Sequence, residues 1–128
     1  MPRKRGHGLP ALRVAARVLF WLALIYVAVV TLSPIADRPV TPFGPTVERF
    51  GAFVLVSALL TLGYPSYRLR WIWGLVAVVA LLEAMQNLVG GRHGRVADFD
   101  IKTCGVLAGA LAALVAERFA DAFLAPRA

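Results

Sequence analysis

The sequence predicts an all-α integral membrane protein, a four-transmembrane-helix bundle with both termini on the cytoplasmic side (N-in/C-in). Two facts of composition and one of pattern lead there. Of the 128 residues, 59% are hydrophobic and 16% charged, against about 45–50% and about 25% in soluble globular domains. The apolar residues gather into four stretches, each near the roughly 20 residues that cross a hydrocarbon core as a helix. The 14 Lys and Arg residues, which leave a formal net charge of +7, fall unevenly on alternate loops. Disorder is excluded by the hydrophobicity, and a basic nucleic-acid module by uncharged runs such as Phe50 to Tyr67.

The first span is Val14 to Leu32, charge-free after Arg17, whose long stem reaches back to the headgroups. Its basic opening, Pro2-Arg3-Lys4-Arg5, also resembles a secretory signal peptide. Cleavage after Ala36 would put Pro34 where a small residue is wanted, and the apolar run is long for a signal, so a retained span is expected. Residues Ser33 to Arg49 carry Pro34, Pro39, Pro42 and Pro45 and read as a stiff extended cover. The second span, Phe50 to Tyr64, stops before Pro65. The third, Trp71 to Val89, holds one charge, Glu83, and the fourth runs from Ile101 to Phe119. With no linker, repeat or low-complexity stretch between them, residues 1–128 read as a single membrane domain.

Orientation follows from the excess of Lys and Arg on the cytoplasmic side. An inside N-terminus groups Arg3, Lys4, Arg5, Arg13, Arg17, Arg68, Arg70, Arg118 and Arg127 inside, and Arg38, Arg49, Arg92, Arg95 and Lys102 outside. Twelve of the 14 basic residues are Arg, which with the many Ala and Gly suits a GC-rich bacterial genome. The expected location is the bacterial cytoplasmic (inner) membrane, crossed several times, with membrane lipids as partners and no nucleic acid.

The third span carries the most informative polar residues. Glu83, Gln86 and Asn87 stand at i, i+3 and i+4 and so share one helix face. An ionisable group inside a span costs about 2.5–3.5 kcal/mol on insertion scales and calls for a partner. Counted from Val89, Glu83 lies roughly 9 Å below the outer end. The next loop offers Arg92 and Arg95 to fold back toward Glu83, and Asp98 or Asp100 to cap the fourth helix. Two readings stay open: a structural ion pair with a cap, or a ligand site built from these groups.

Other features bear less. Asp98-Phe99-Asp100 is a short DxD pattern, and His93 with two aspartates lacks metal-site spacing, so neither a metal nor a cofactor is assigned. No serine stands near a histidine in a nucleophile motif. The single Cys104 excludes an internal disulfide and reads as a small core residue. Gly105, Gly109, Ala112 or Ala113, and Ala116 form a small-residue stripe that suits packing within the chain or a homodimer equally. Tyr64, Tyr67, Trp71 and Trp73 read as an interfacial aromatic belt.

Taken in order, these residues resemble the VanZ-like family of small bacterial membrane proteins. The family pattern is matched by Leu32-Ser33-Pro34, Phe50-Gly51-Ala52-Phe53, Glu83-Ala84-Met85-Gln86, Arg92 six residues before Asp98, and Gly105 with Gly109. It extends from about Leu32 to Gly109. The chain departs from it where Pro45-Thr46 replaces Asp-Lys, Arg49 replaces His, Arg95 replaces Ser and Lys102 replaces Asn. The resemblance implies a link to resistance to the glycopeptide teicoplanin.

Three functions are compatible with the sequence. The first is a non-enzymatic envelope protein whose outer polar site binds a lipid headgroup or cell-wall precursor through Arg49, Arg92, Arg95 and Lys102, with Glu83, Gln86, Asn87 and Asp98 alongside. The second is a small proton-coupled exporter using Glu83. The third is an enzyme on lipid-linked substrates, with Glu83 as base and arginines holding a phosphate. No catalytic residue is assigned, and the first reading is preferred.

Overall fold

The computed structural model describes residues 8–33, 41–88 and 96–124. They form α1 (Gly8–Leu32), α2 (Pro45–Gly63), α3 (Arg68–Gln86) and α4 (Val96–Leu124). All four are long and apolar enough to cross a membrane, as expected for an all-α membrane bundle.

Local sequence sets most helix ends. Gly44 adopts φ 87° before Pro45, a conformation open to glycine, and Pro45 then supplies a preset first helical turn. Pro45 to Arg49 are therefore helical, a correction to the extended cover read from the prolines. Pro65 ends α2: it disfavours helical geometry at Tyr64, which adopts φ −123° and closes the last turn with its N–H on the Leu60 carbonyl. Tyr67 takes the left-handed conformation (φ 58°) that launches α3, and the Arg70 guanidinium lies over its ring at 5.1 Å.

The helices alternate in direction, so α2 and α4 run parallel. Three contacts with the same sequence offset along the molecule mark the alignment: Arg49 with Asp98, Ser57 with Val106 and, through the start of α3, Arg68 with Glu117. The closest packing is at the two glycines of α4. A Cβ on Gly105 would come within 2.7 Å of the Phe50 carbonyl oxygen, and one on Gly109 would collide with the Val54 carbonyl. Buried Ala113 continues this line, whereas Ala112 and Ala116 are exposed, so the glycine half of the stripe serves packing within the chain.

The distribution of polarity is that of a bundle solvated by lipid. Phe20, Val27, Phe53, Val56, Leu60, Leu75, Val79 and Val106 form the core. Among them are buried Ser57, Thr61, Glu83, Gln86 and Lys102, while Leu22, Ile25, Leu55, Trp73, Leu81 and Leu111 face outward. Cys104 is exposed rather than in the core.

One end of the bundle is closed by aromatic and basic groups. Arg17 Nε donates to the Gly63 carbonyl at 2.7 Å, Trp21 Nε1 to Tyr64 Oη at 2.9 Å, and Tyr64 stacks on Trp71 at 4.3 Å. Arg68 Nη2 meets both Glu117 oxygens at 2.6 Å. The opposite end, with the C-termini of α1 and α3 and the N-termini of α2 and α4, carries Arg49, Glu83, Gln86, Asp98 and Lys102.

Candidate functional site

Glu83 and Lys102 form the deepest polar contact. Lys102 Nζ donates to Glu83 Oε1 across α3 and α4, with the two residues 1% and 7% exposed. The Lys102 ammonium also stands 6.0 Å from the centre of the Phe53 ring. Glu83 Oε2 is buried and receives no hydrogen bond among the described residues. The carboxylate partner sought from Arg92 and Arg95 is thus supplied by Lys102; both arginines and His93 lie outside the described residues.

Gln86, one turn beyond Glu83, is buried and donates through Nε2 to the Thr31 carbonyl at 3.1 Å, tying α3 to the end of α1. Asn87 is the C-cap of α3, in right-handed helical geometry. Because α3 spans Arg68–Gln86 rather than Trp71 to Val89, Asn87 lies beyond its last turn and is exposed. The same shift brings Glu83 to about 4.5 Å below the helix end, three residues at 1.5 Å each, nearer the surface than the sequence estimate.

Asp98 lies in the first turn of α4, which begins at Val96. It and Asp100 are therefore inside the helix instead of capping one that starts at Ile101. Asp98 Oδ1 accepts from Arg49 Nη1 at 2.6 Å, with both side chains largely buried. This charge-assisted contact joins the starts of α2 and α4 about one helical turn above Lys102.

Beside these two ion pairs is a cavity of about 200 Å³ between α1, α2 and α4. Exposed Tyr26, Thr41 and Pro45 form its rim, and buried Thr31, Phe53 and Lys102 its floor. Glu48 and Arg49 supply charged walls, and Val27, Val30 and Ala52 apolar ones. Glu48 is held in place by Thr41, whose backbone N–H and hydroxyl donate to Oε1 at 2.7 and 2.5 Å. The cavity is smaller than the roughly 300–1,000 Å³ of sites for drug-sized ligands, which suits a headgroup better than a whole amphiphile.

Of the expected residues, Arg49 and Lys102 reach the cavity; Glu83 and Asp98 stand behind them as counter-charges, and Gln86 braces the neighbouring helix ends. Tyr26, Thr31, Thr41 and Glu48 were not foreseen. Their signal is a shared spacing: Tyr26, Val27, Val30 and Thr31 follow an i, i+1, i+4, i+5 pattern, as do Glu48, Arg49, Ala52 and Phe53, so each set forms one helix face. Only packing α1 against α2 turns the two faces into a cavity. Among the described residues no group of three His, Cys, Asp or Glu side chains converges as a metal site. Neither family models, curated proteins nor solved structures give a match to this chain.

Proposed function

We propose that this chain is a VanZ-like protein of the bacterial cytoplasmic membrane, with the Arg49 end facing outward, that holds the headgroup of a membrane lipid or lipid-linked cell-wall intermediate. The observation that carries this reading is the cavity with Lys102 on its floor and Arg49 on its wall. Two fixed cations beside apolar walls suit a phosphate-bearing headgroup whose chains stay in the bilayer. The family departures at Arg49 and Lys102 support it, since each brings a cation to a carboxylate, Asp98 or Glu83.

Binding is favoured over the two alternatives. Glu83 points to Lys102 and is not part of the cavity lining, which is a poor arrangement for a carboxylate that must exchange protons with a cargo. Glu48 is the one carboxylate among the described lining residues, and Lys102 on the floor is held in an ion pair with Glu83, so the cavity offers fixed charges more than a matched acid and base.

Teicoplanin sensitivity in a bacterium deleted for the protein tests the reading. The wild-type chain is expected to restore resistance, and Ala52→Trp, which fills the cavity while keeping all four ion-pairing side chains, is expected to fail at equal expression. Full restoration by Ala52→Trp, or no effect of the deletion, would count against it.

A further inference from the structure

The Arg68 end of the bundle carries a second polar feature, away from the cavity. Arg17 lies within the apolar stretch Pro10–Leu32, and its side chain is fixed in place. Its Nε donates to the Gly63 carbonyl at 2.7 Å, and its guanidinium lies over the Tyr64 ring at 4.9 Å. That ring is itself held, stacked on Trp71 at 4.3 Å and accepting through Oη from Trp21 Nε1. A guanidinium has five N–H donors, so those on Nη1 and Nη2 are left without an acceptor among the described residues. Val14, Val18 and Leu22 around it face outward, into surroundings where a charged group calls for a partner. Arg13 stands one turn nearer the end of the molecule on the same helix face. Neither arginine has a carboxylate beside it. Six of the seven Asp and Glu residues are described, and none of them ion-pairs with Arg13 or Arg17. The seventh, Asp37, follows the opposite end of α1 in the sequence.

We infer that Arg13 and Arg17 form a surface site for an anionic phospholipid of the leaflet at this end, its phosphate on the Nη edge of Arg17. The planar pair of Nη groups matches two phosphate oxygens. The contacts to Gly63 and Tyr64 already order the guanidinium, which lowers the cost of binding. An acyl chain has a track beside it: Arg13, Arg17, Trp21 and Ile25 repeat every four residues and make one stripe, whose Trp21 and Ile25 are exposed. The headgroup is specified by charge. Two cations without carboxylate partners attract a net-negative lipid, whereas the ammonium of a zwitterionic one finds no carboxylate here to meet it. Arg68, by contrast, is already matched by both oxygens of Glu117. The site stands apart from the cavity and does not depend on which leaflet it faces.

The test is competitive lipid binding to the delipidated full-length protein in detergent, read by native mass spectrometry. The probes are phosphatidylglycerol, phosphatidylethanolamine and soluble glycerol 3-phosphate. The stripe is on the outer surface, so delipidation is expected to empty it. Phosphatidylglycerol is expected to bind at least about 5-fold more tightly than phosphatidylethanolamine. Arg13→Gln breaks no hydrogen bond or ion pair among the described residues and should about halve that preference, while Arg13→Gln with Arg17→Gln should bring it within about twofold. Arg118→Gln removes the same charge from α4 at the same end and should leave the preference intact, as should Ala52→Trp, which fills the cavity. An equal loss in Arg118→Gln would assign the preference to diffuse charge, and a loss in Ala52→Trp would assign it to the cavity. Either result overturns the inference, as does an unchanged preference in Arg13→Gln or displacement of the lipid by glycerol 3-phosphate at equal concentration.

Discussion

Lys102 and Glu83 meet inside the bundle, one on α4 and one on α3, and Lys102 alone of the two also lines the cavity. A single side chain thus joins the packing of the helices to the floor of the site. We propose structural and ligand-directed roles for the same ammonium group.

Breaking that pair should cost more than replacing it. Lys102→Ala leaves the Glu83 charge buried without a partner, and a loss of about 3–5 kcal/mol is expected. The double variant Glu83→Leu with Lys102→Met removes both charges and is expected to be near neutral or more stable. Unfolding in a mild detergent measures both, and equal destabilisation by the single and double changes would contradict the pairing.

Glycine substitutions should divide by position. Gly109→Ala drives a methyl into the Val54 backbone and is expected to cost about 1–3 kcal/mol. At Gly51 and Gly74 a Cβ meets nothing within 4 Å, so Gly51→Ala and Gly74→Ala should gain about 0.5–1 kcal/mol through the stiffer helix backbone. The same unfolding assay checks all three, and a neutral Gly109→Ala would refute the close α2–α4 contact.

The Arg49–Asp98 contact makes a second electrostatic prediction. A double-mutant cycle with Arg49→Ala and Asp98→Ala should give a coupling of about 1.5–3 kcal/mol, the range for hydrogen bonds to charged groups. Exchange of the two residues, Arg49→Asp with Asp98→Arg, should recover part of the loss caused by either reversal alone. Additive effects in the cycle would mean the two side chains do not interact.

Orientation can be read by thiol labelling in a Cys104→Ser background. Thr41→Cys lies at the Arg49 end and Ser66→Cys at the Arg68 end, and both positions are exposed. A membrane-impermeant maleimide should label Thr41→Cys in intact cells and Ser66→Cys only after lysis. The reverse pattern would turn the molecule over and move the cavity to the cytoplasmic face.

The helices were legible in the sequence because lipid demands long apolar runs, and the cost of an ionisable group in a span drew attention to Glu83. Its partner was harder to assign. Lys102 was grouped with the outer basic residues, whereas α4 starts five residues earlier than the Ile101 start read from hydropathy and turns Lys102 inward against Glu83. Pro45 misled in a similar way: a fourth proline suggested extended chain, but after Gly44 it occupies the first turn of α2. The cavity itself needs more than the spacing on each helix, since its lining comes from α1, α2 and α4 and the α2–α4 register is fixed by packing at Gly105 and Gly109.

The most direct test of the central claim is the lipid content of the purified protein by native mass spectrometry. The wild-type chain is expected to retain one phospholipid through gentle delipidation, and Ala52→Trp and Val30→Trp, both in the cavity wall, to lose it while unfolding at the wild-type temperature. Equal lipid retention by the wild type and both filled-cavity variants would contradict a headgroup site between α1, α2 and α4.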